Sequence, residues 1–145
     1  MTIRPLESRD VEAILAIQAA CPEIAQWTAW DYDRVARGEM AGWIAENGTE
    51  VTGFLVARRV SSELEILNFA VELNSRRCGV GAALLAEALQ WAHTFQAASA
   101  ILEVRASNVA ALRFYERHKF EVVGRRPRYY TAPVEDALLL TATLG

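Results

Sequence analysis

The sequence predicts one α/β (α+β) domain over residues 1–145, with a mixed, mostly antiparallel twisted sheet of about seven strands and about four flanking helices. Hydrophobic residues make up 52% of the chain, which is enough to fill one core. Short apolar runs separated by turn signals predict antiparallel strands. A glycine-containing turn then joins an apolar strand to a long Ala- and Leu-rich segment, which predicts one β-α-β crossover, right-handed by the general rule.

The first third of the chain predicts a strand and two helices. Thr2–Pro5 is a short strand, and Ser8 is expected to cap the helix that follows. Apolar residues at helical spacing continue that helix until Cys21 and Pro22 end it. The stretch Thr28–Asp31 has the form of a capping box, which predicts the start of a second, shorter helix.

The next segment predicts an antiparallel meander. Trp43–Ala45 is followed by Asn47-Gly48, a strong signal for a two-residue hairpin. Val51–Val60 is the returning strand, and Glu63–Val71 pairs with it after a Ser-Ser turn.

The second half predicts the crossover and the closing strands. A turn rich in arginine and glycine follows Val71 and leads into a helix. The remaining predicted elements are a buried strand, a helix and two closing strands, at Ser99–Val104, Asn108–His118, Phe120–Gly124 and Ala137–Thr143.

Composition and charge exclude several classes of function. The formal net charge is −3, whereas proteins that grip long nucleic acids usually have a basic surface. The two cysteines, Cys21 and Cys78, match no metal or redox spacing. The N-terminus does not resemble a signal peptide, and no run approaches the length of a membrane span. We therefore expect a cytoplasmic protein without a metal, a nucleic-acid partner or a membrane partner.

The turn after Val71 has the residues of a phosphate-binding site. Gly79 and Gly81 remove side chains where an anion approaches the backbone, and Arg76 and Arg77 add positive charge. A plain loop between a strand and a helix is the competing interpretation. A Rossmann site is disfavoured because Leu84 replaces the third glycine of its motif.

The pattern Arg76-x-x-Gly79-x-Gly81 resembles the R/Q-x-x-G-x-G/A motif of the GNAT superfamily, which binds the pyrophosphate of acetyl-CoA. Further stretches resemble one branch of it, the RimI-type ribosomal-protein alanine N-acetyltransferases. They are Leu102–Asn108, Phe114–Glu116, Arg128–Tyr130 and Glu135–Ala137.

This resemblance implies a GNAT fold and acetyl-CoA as the co-substrate. The strand before the turn is expected to carry a bulge and to bind the pantetheine arm, and Asn108 is expected to contact the same arm. The implied cofactor-binding residues are Phe69, Ala70, Val71, Arg76, Arg77, Cys78, Gly79, Val80, Gly81, Ala82 and Asn108.

The resemblance also implies two catalytic residues. Glu103 would accept the proton of the acceptor amine, and Tyr115 would protonate the leaving thiolate, with direct attack in a ternary complex. Taken without the resemblance, each has a simpler interpretation. A glutamate near a strand end is usually solvated, and a tyrosine in an amphipathic helix usually packs. Asn108 could be only the N-cap of its helix.

The implied acceptor is a protein N-terminus, the alanine of small-subunit ribosomal protein number eighteen, with Trp27, Tyr129 and Tyr130 in the acceptor site. The chain departs from the branch near this site, since Arg128 stands where asparagine is usual before the two tyrosines and the loop from Tyr130 to Glu135 is shorter. Acetylation of a small-molecule amine and non-catalytic binding of acyl-CoA are the alternative functions.

Overall fold

The computed structural model describes residues 1–145, which form seven strands, four helices and two single 3₁₀ turns at Ser8–Asp10 and Leu73–Ser75. None of the helices combines the length and the apolar character that crossing a lipid bilayer requires. In chain order the elements are β1 Thr2–Pro5, α1 Val11–Ala19, α2 Ala29–Ala36, β2 Ala41–Asn47, β3 Glu50–Val60, β4 Glu63–Val71, α3 Val80–Thr94, β5 Ser99–Arg105, α4 Val109–Arg117, β6 Glu121–Thr131 and β7 Val134–Thr143.

The strands form one sheet in the order β1-β2-β3-β4-β5-β7-β6. Only β4 and β5 run parallel, so the predicted mixed sheet with a single β-α-β crossover is confirmed. The predicted hairpin is confirmed too, because Asn47 pairs with Glu50 and Gly48 between them adopts a left-handed φ of 66°. The capping box at the start of α2 forms as predicted, with the Thr28 hydroxyl accepting from the Asp31 N–H.

The prediction that Ser8 caps the first helix is wrong. The Asp10 carboxylate accepts the Glu7 N–H at 2.8 Å and also accepts from the Arg4 guanidinium at 2.8 Å. Glu7 is therefore the N-cap of a 3₁₀ turn whose third residue, Asp10, binds back to the cap, and α1 begins only at Val11. The Ser8 hydroxyl donates instead to Asp33, at 3.2 Å.

The last hairpin is longer than predicted. β6 extends to Thr131, although Gly124, Pro127 and a run of arginines disfavour a strand there. Irregular pairing accommodates them, because Arg126 lies opposite Ala137 whereas Tyr130 lies opposite Glu135. β6 is an edge strand, where a bulge and a proline are tolerated.

The sheet separates two apolar clusters because successive side chains of a strand point to opposite faces. Trp43 and Leu55 pack with the apolar residues of α3, whereas Ile44 and Phe54 pack with those of α1 and α2. Helices α3 and α1–α2 therefore cover opposite faces, and the interior strand β3 is buried on both of them.

The sheet opens between its two parallel strands. β4 and β5 pair only from Glu63 opposite Ser99 to Glu65 opposite Ile101. Beyond this point β4 carries a bulge, since Ile66 lies opposite Ala57 but Asn68 lies opposite Val56, which leaves Leu67 unmatched. The strands therefore diverge toward their carboxyl ends, and the opening between them positions the site.

Two buried tyrosines predict a loss of stability at alkaline pH. Burial raises the pKa of both Tyr32 and Tyr115 above its ordinary value near 10. Their contribution to stability is therefore complete below about pH 10 and is lost as the pH rises from there toward the folded-state pKa values. We expect the urea midpoint of unfolding to fall as the pH rises from about 10 to about 12.

The double variant Tyr32→Phe/Tyr115→Phe tests this cause. It should show a weaker decrease of the urea midpoint over the same pH interval, whereas Tyr129→Phe, which removes an exposed phenol, should behave like the wild type. An unchanged pH dependence in the double variant would contradict the assignment.

Candidate active site

Two adjoining compartments lie at the opening between β4 and β5. The helix compartment, of about 780 Å³, lies between the turn before α3 and the side of α4. The strand compartment, of about 330 Å³, lies among β4, β5 and β6. Six residues line both compartments and therefore mark their junction: Glu23, Ile24, Phe69, Asn108, Ala111 and Tyr115.

The turn that enters the helix compartment has the geometry of an anion site. Gly79 is the N-cap of α3 with a left-handed φ of 80°, and Arg77 also has a positive φ, of 65°. The first N–H groups of α3 have no acceptor within the helix and lie at its positive end. A Cβ at Gly81 would lie 3.2 Å from the Phe114 ring, so glycine there allows α3 and α4 to approach closely.

The two arginines of the turn differ from each other. Arg76 donates to the Val71 carbonyl at 3.3 Å, and its guanidinium lies 3.7 Å from Glu23 and 3.3 Å from the buried Cys21 sulfur. The predicted free charge at Arg76 is therefore partly neutralised. Arg77 lines the helix compartment and has no such partner.

Most of the other residues expected to bind the cofactor line the helix compartment, as Phe69, Ala70, Val71, Gly79, Ala82 and Asn108 do. Cys78 is exposed and Val80 is buried in the core, and neither side chain lines the compartment. These two residues offer only their backbone N–H groups to a ligand. Asn108 caps α4 by accepting the Ala111 N–H at 3.2 Å and also lines both compartments, so the two interpretations of Asn108 are compatible.

Tyr115 lies at the junction of the compartments. Its ring packs edge-on against Phe69 and Phe120, and only 7% of the residue is exposed. Burial raises the pKa of its phenol, so the hydroxyl keeps its proton at neutral pH. The phenol can therefore serve as a proton donor to a group in the cleft.

Glu103 points from β5 into the strand compartment. Its Oε1 atom lies 3.6 Å from the Arg126 guanidinium, whereas its Oε2 atom is buried and accepts no hydrogen bond. An unpartnered buried carboxylate oxygen is costly, and a ligand N–H can satisfy it. Glu103 is therefore placed to receive a proton from a donor in this compartment.

The two tyrosines of β6 line the strand compartment with Glu103. Their rings lie 5.1 Å apart, and the Arg105 guanidinium lies 4.3 Å above the Tyr130 ring. Burial, and then the charge of Glu103, raises the pKa of Tyr130. Both tyrosines therefore share one compartment with Glu103, and their role in the acceptor site stays a prediction.

Ion pairs that the sequence did not reveal hold this hairpin in place. Glu135 accepts from Arg105 at 3.2 Å and from the Ser107 N–H at 2.6 Å, which ties the β6–β7 hairpin to the start of α4. Asp136 accepts the Arg128 N–H at 2.9 Å. These contacts lower the pKa of both carboxyls.

Trp27 differs from expectation, because it lines neither compartment. Its ring packs on Tyr32 at 5.3 Å, and its backbone exchanges two hydrogen bonds with the Gln18 side chain. The neighbouring residues Glu23–Ala25 line the strand compartment in its place. The proline and tryptophan signals in this loop could not show which residue faces the cleft.

A buried polar network anchors this loop to the bulge of β4. The Asn68 amide donates to the Ala25 carbonyl at 3.0 Å and to the Tyr32 hydroxyl at 2.9 Å. Tyr32 in turn donates to Gln18, which holds the backbone of Trp27. All three polar side chains are buried, so the network fixes the loop at the cleft.

Sequence reasoning also missed the wall of the helix compartment formed by α4. Arg113, Arg117 and His118 line it, together with Glu23 and Ile24 from the loop before α2. The spacing of Arg113 and Arg117, four residues apart, was the available signal, because such residues share one side of a helix. No group of three or more His, Cys, Asp and Glu side chains is arranged to hold a metal ion.

Comparison with known proteins identifies the family. The statistical model of the acetyltransferase (GNAT) family matches residues 9–120. The [ribosomal protein bS18]-alanine N-acetyltransferase of Escherichia coli strain K12 is 30% identical over 150 aligned residues, which cover 99% of this chain and 98% of that protein.

Solved structures agree. The crystal structure of the ribosomal-protein-S18-alanine N-acetyltransferase from Escherichia coli matches with a TM-score of 0.85 at 27% identity, covering 99% of this chain and 94% of that one. Ard1 from Thermoplasma volcanium matches with a TM-score of 0.89 at 29% identity, covering 99% and 97%. A protein assigned as a streptothricin acetyltransferase from Bacillus anthracis, solved with acetyl coenzyme A, matches with a TM-score of 0.68 at 28% identity, covering 73% and 63%.

The seven-stranded sheet that opens between β4 and β5, with its glycine turn before α3, is accordingly the GNAT fold. The chain therefore belongs to the acetyltransferase (GNAT) family, and it is an acetyltransferase close to the ribosomal-protein alanine N-acetyltransferases.

Proposed function

We propose that this enzyme transfers the acetyl group of acetyl-CoA to the N-terminal α-amine of a protein, with the N-terminal alanine of ribosomal small-subunit protein number eighteen as the first candidate acceptor. The observation that carries the proposal is the junction of the two compartments. Tyr115 lines both compartments there. Glu103, with its buried, unpartnered Oε2 atom, lines the adjoining strand compartment, and the glycine turn before α3 lines the helix compartment.

The helix compartment fits acetyl-CoA. The N–H groups of residues 77–82 and the Arg77 guanidinium would hold the diphosphate. The edge of β4 beyond Glu65 has no strand partner on its β5 side, so its backbone can pair with the two amides of the pantetheine arm, close to Asn108. Bound acetyl-CoA supplies an activated thioester at the junction, and the Bacillus anthracis relative is solved with this molecule.

Starting from the acceptor ammonium, two protons must leave the nitrogen and one must reach the departing sulfur, so one proton is released to solvent for each acetyl group transferred. Glu103 accepts a proton from the acceptor ammonium, directly or through water, because an α-ammonium with a pKa of about 7.7–8.0 must be neutral to attack. The amine then forms a C–N bond with the acetyl carbon while the C–S bond breaks. Tyr115 gives its proton to the departing sulfur and regains one from the newly acylated nitrogen through water, while the proton on Glu103 passes to solvent. A backbone N–H near Val71 polarises the carbonyl oxygen.

The strand compartment supports a protein N-terminus as the acceptor. It is the smaller of the two compartments, and Tyr129 and Tyr130 line it. It also carries the Glu103 carboxylate, whose buried Oε2 atom has no partner and favours an ammonium group. Its residues belong to one domain, which we propose extends over residues 1–145. The 30% identity to the Escherichia coli enzyme over its whole length supports an alanine acceptor.

The proposal is tested by incubating the enzyme with acetyl-CoA and a panel of acceptors while following thiol release and product mass. The panel contains peptides with N-terminal Ala or Ser, the same peptides with a blocked α-amine, polyamines and aminoglycosides. We expect one added acetyl group on the free α-amine only. Acetylation of small amines alone, or binding without thiol release, would replace the proposal by one of the two alternative functions.

A further prediction concerns the buried hydrogen-bond network that anchors the loop Glu23–Ala25. Tyr32→Phe removes the hydroxyl that joins Asn68 to Gln18, so the loop Glu23–Ala25 loses part of its anchor. We expect the KM for an N-terminal alanine peptide to rise about 3–10-fold, and the KM for acetyl-CoA to rise less. Steady-state kinetics with each substrate varied in turn measures both values.

Thr52→Val is the matched control for this variant. It also removes a buried hydroxyl, one that donates to the Ala45 carbonyl at 3.3 Å, but Thr52 lines neither compartment. Equal effects of the two variants on the peptide KM would show that the network acts only on stability.

A further inference from the structure

The helix compartment contains positive charge beyond that of the glycine turn before α3, residues 76–81. Arg77, Arg113 and Arg117 all line it, and none of the three takes part in an ion pair within the chain. Glu23, the carboxylate that lines this compartment, is already paired with Arg76. The compartment therefore has three uncompensated guanidinium groups.

These charges come from two different elements. Arg77 belongs to the turn, together with the free N–H groups at the start of α3. Arg113 and Arg117 belong to α4, one helical turn apart, so their side chains leave the same side of that helix. The turn can bind one anion, and Arg113 and Arg117 can bind a second anion on another wall of the compartment.

His118, the other polar residue on the α4 wall of the helix compartment, adds no charge to it. His118 stacks on Phe114 with ring centroids 4.5 Å apart. Burial, and then the charge of Arg117, lowers the pKa of His118 below its ordinary value, so the imidazole is neutral at neutral pH. The positive charge of the wall comes from the two arginines, and the neutral ring offers an aromatic surface beside them.

Coenzyme A carries phosphate at two places, the diphosphate and the 3′-phosphate of its ribose. We propose that Arg113 and Arg117 bind the 3′-phosphate, as a subsite separate from the diphosphate site at the turn. The inference rests on the proposed use of acetyl-CoA. A guanidinium suits this role because its planar N–H groups match phosphate oxygens.

Comparison of coenzyme A with 3′-dephospho-coenzyme A tests the subsite directly, because the two ligands differ only in that phosphate. By isothermal titration calorimetry we expect the wild type to bind coenzyme A about tenfold more tightly. The double variant Arg113→Gln/Arg117→Gln should bind both ligands with nearly equal affinity. The preference of the wild type should also shrink as the salt concentration rises, since exposed charge pairs are screened.

Arg37→Gln is the matched control, because it removes one exposed arginine at the end of a helix that lines neither compartment. It should keep the wild-type preference. Equal wild-type affinities for the two ligands, or a double variant that keeps the full preference, would overturn the subsite and leave the proposed function intact. Absence of binding of either ligand to the wild type would overturn both.

Discussion

Glu103→Gln should lower kcat/KM for an N-terminal alanine peptide by about 10²–10⁴-fold at pH 7, which is the usual contribution of a positioned general base. Glutamine has nearly the same shape as glutamate but cannot accept the ammonium proton. Glu103 does not line the helix compartment, so the Kd for acetyl-CoA should remain within about twofold of the wild type. Thiol-release kinetics and calorimetry measure the two quantities.

The loss of rate should depend on pH in a diagnostic way. The acceptor amine loses its proton without help above its own pKa of about 8, so the deficit of Glu103→Gln should shrink between about pH 7 and about pH 9.5. Glu65→Gln is the matched control, because Glu65 lines the same strand compartment and is paired with Arg58 at 2.7 Å. A control variant as slow as Glu103→Gln would argue for a general loss of negative charge and against a base.

Tyr115→Phe should lower kcat by about 10–100-fold, since the leaving sulfur then takes its proton from water. The ring keeps its contacts with Phe69 and Phe120, and the hydroxyl makes no hydrogen bond within the protein, so the fold should tolerate the change. Because the KM for acetyl-CoA reports mainly on the diphosphate and the pantetheine arm, it should change little. Single-turnover kinetics separates the chemical step from product release.

Tyr129→Phe provides the comparison for Tyr115→Phe. Tyr129 also lines the strand compartment, but it is exposed and does not lie at the junction. Its hydroxyl should matter for the peptide KM and hardly for kcat. If Tyr115→Phe retains the full single-turnover rate, Tyr115 is a packing residue and the sulfur receives its proton elsewhere.

The fold was predictable wherever local chemistry decides the local structure. The hairpin at Asn47-Gly48 and the capping box at Thr28–Asp31 depend on short-range rules, and both formed as predicted. The start of α1 was not predictable, because the Asp10 carboxylate is held by Arg4 of β1, a contact between separate elements. The extent of β6 was missed for a similar reason, since pairing with β7 outweighs the local preferences of Gly124 and Pro127.

The candidate site was predictable to the extent that one short motif defines it. The turn from Arg76 to Gly81 is contiguous in the sequence, and it leads into α3 through Gly79, which has a left-handed φ; its role in binding phosphate stays a prediction. The orientation of Arg76 toward Glu23 and the burial of Trp27 against Tyr32 were not predictable, because they depend on how the loop before α2 packs. The arginines of α4 show their proximity to the turn only after the sheet and the helices assemble.

The compartment proposed for the acyl donor and the one proposed for the acceptor share six residues, whereas Tyr129 and Tyr130 at the tip of the last hairpin line the acceptor compartment alone. Changes at the tip of the β6–β7 hairpin could therefore alter the acceptor during evolution, while the residues of the helix compartment stay the same. The same separation can be used in protein engineering. Replacing the β6–β7 hairpin by that of a relative should change which amine is acetylated and leave the specificity for the acyl donor unchanged.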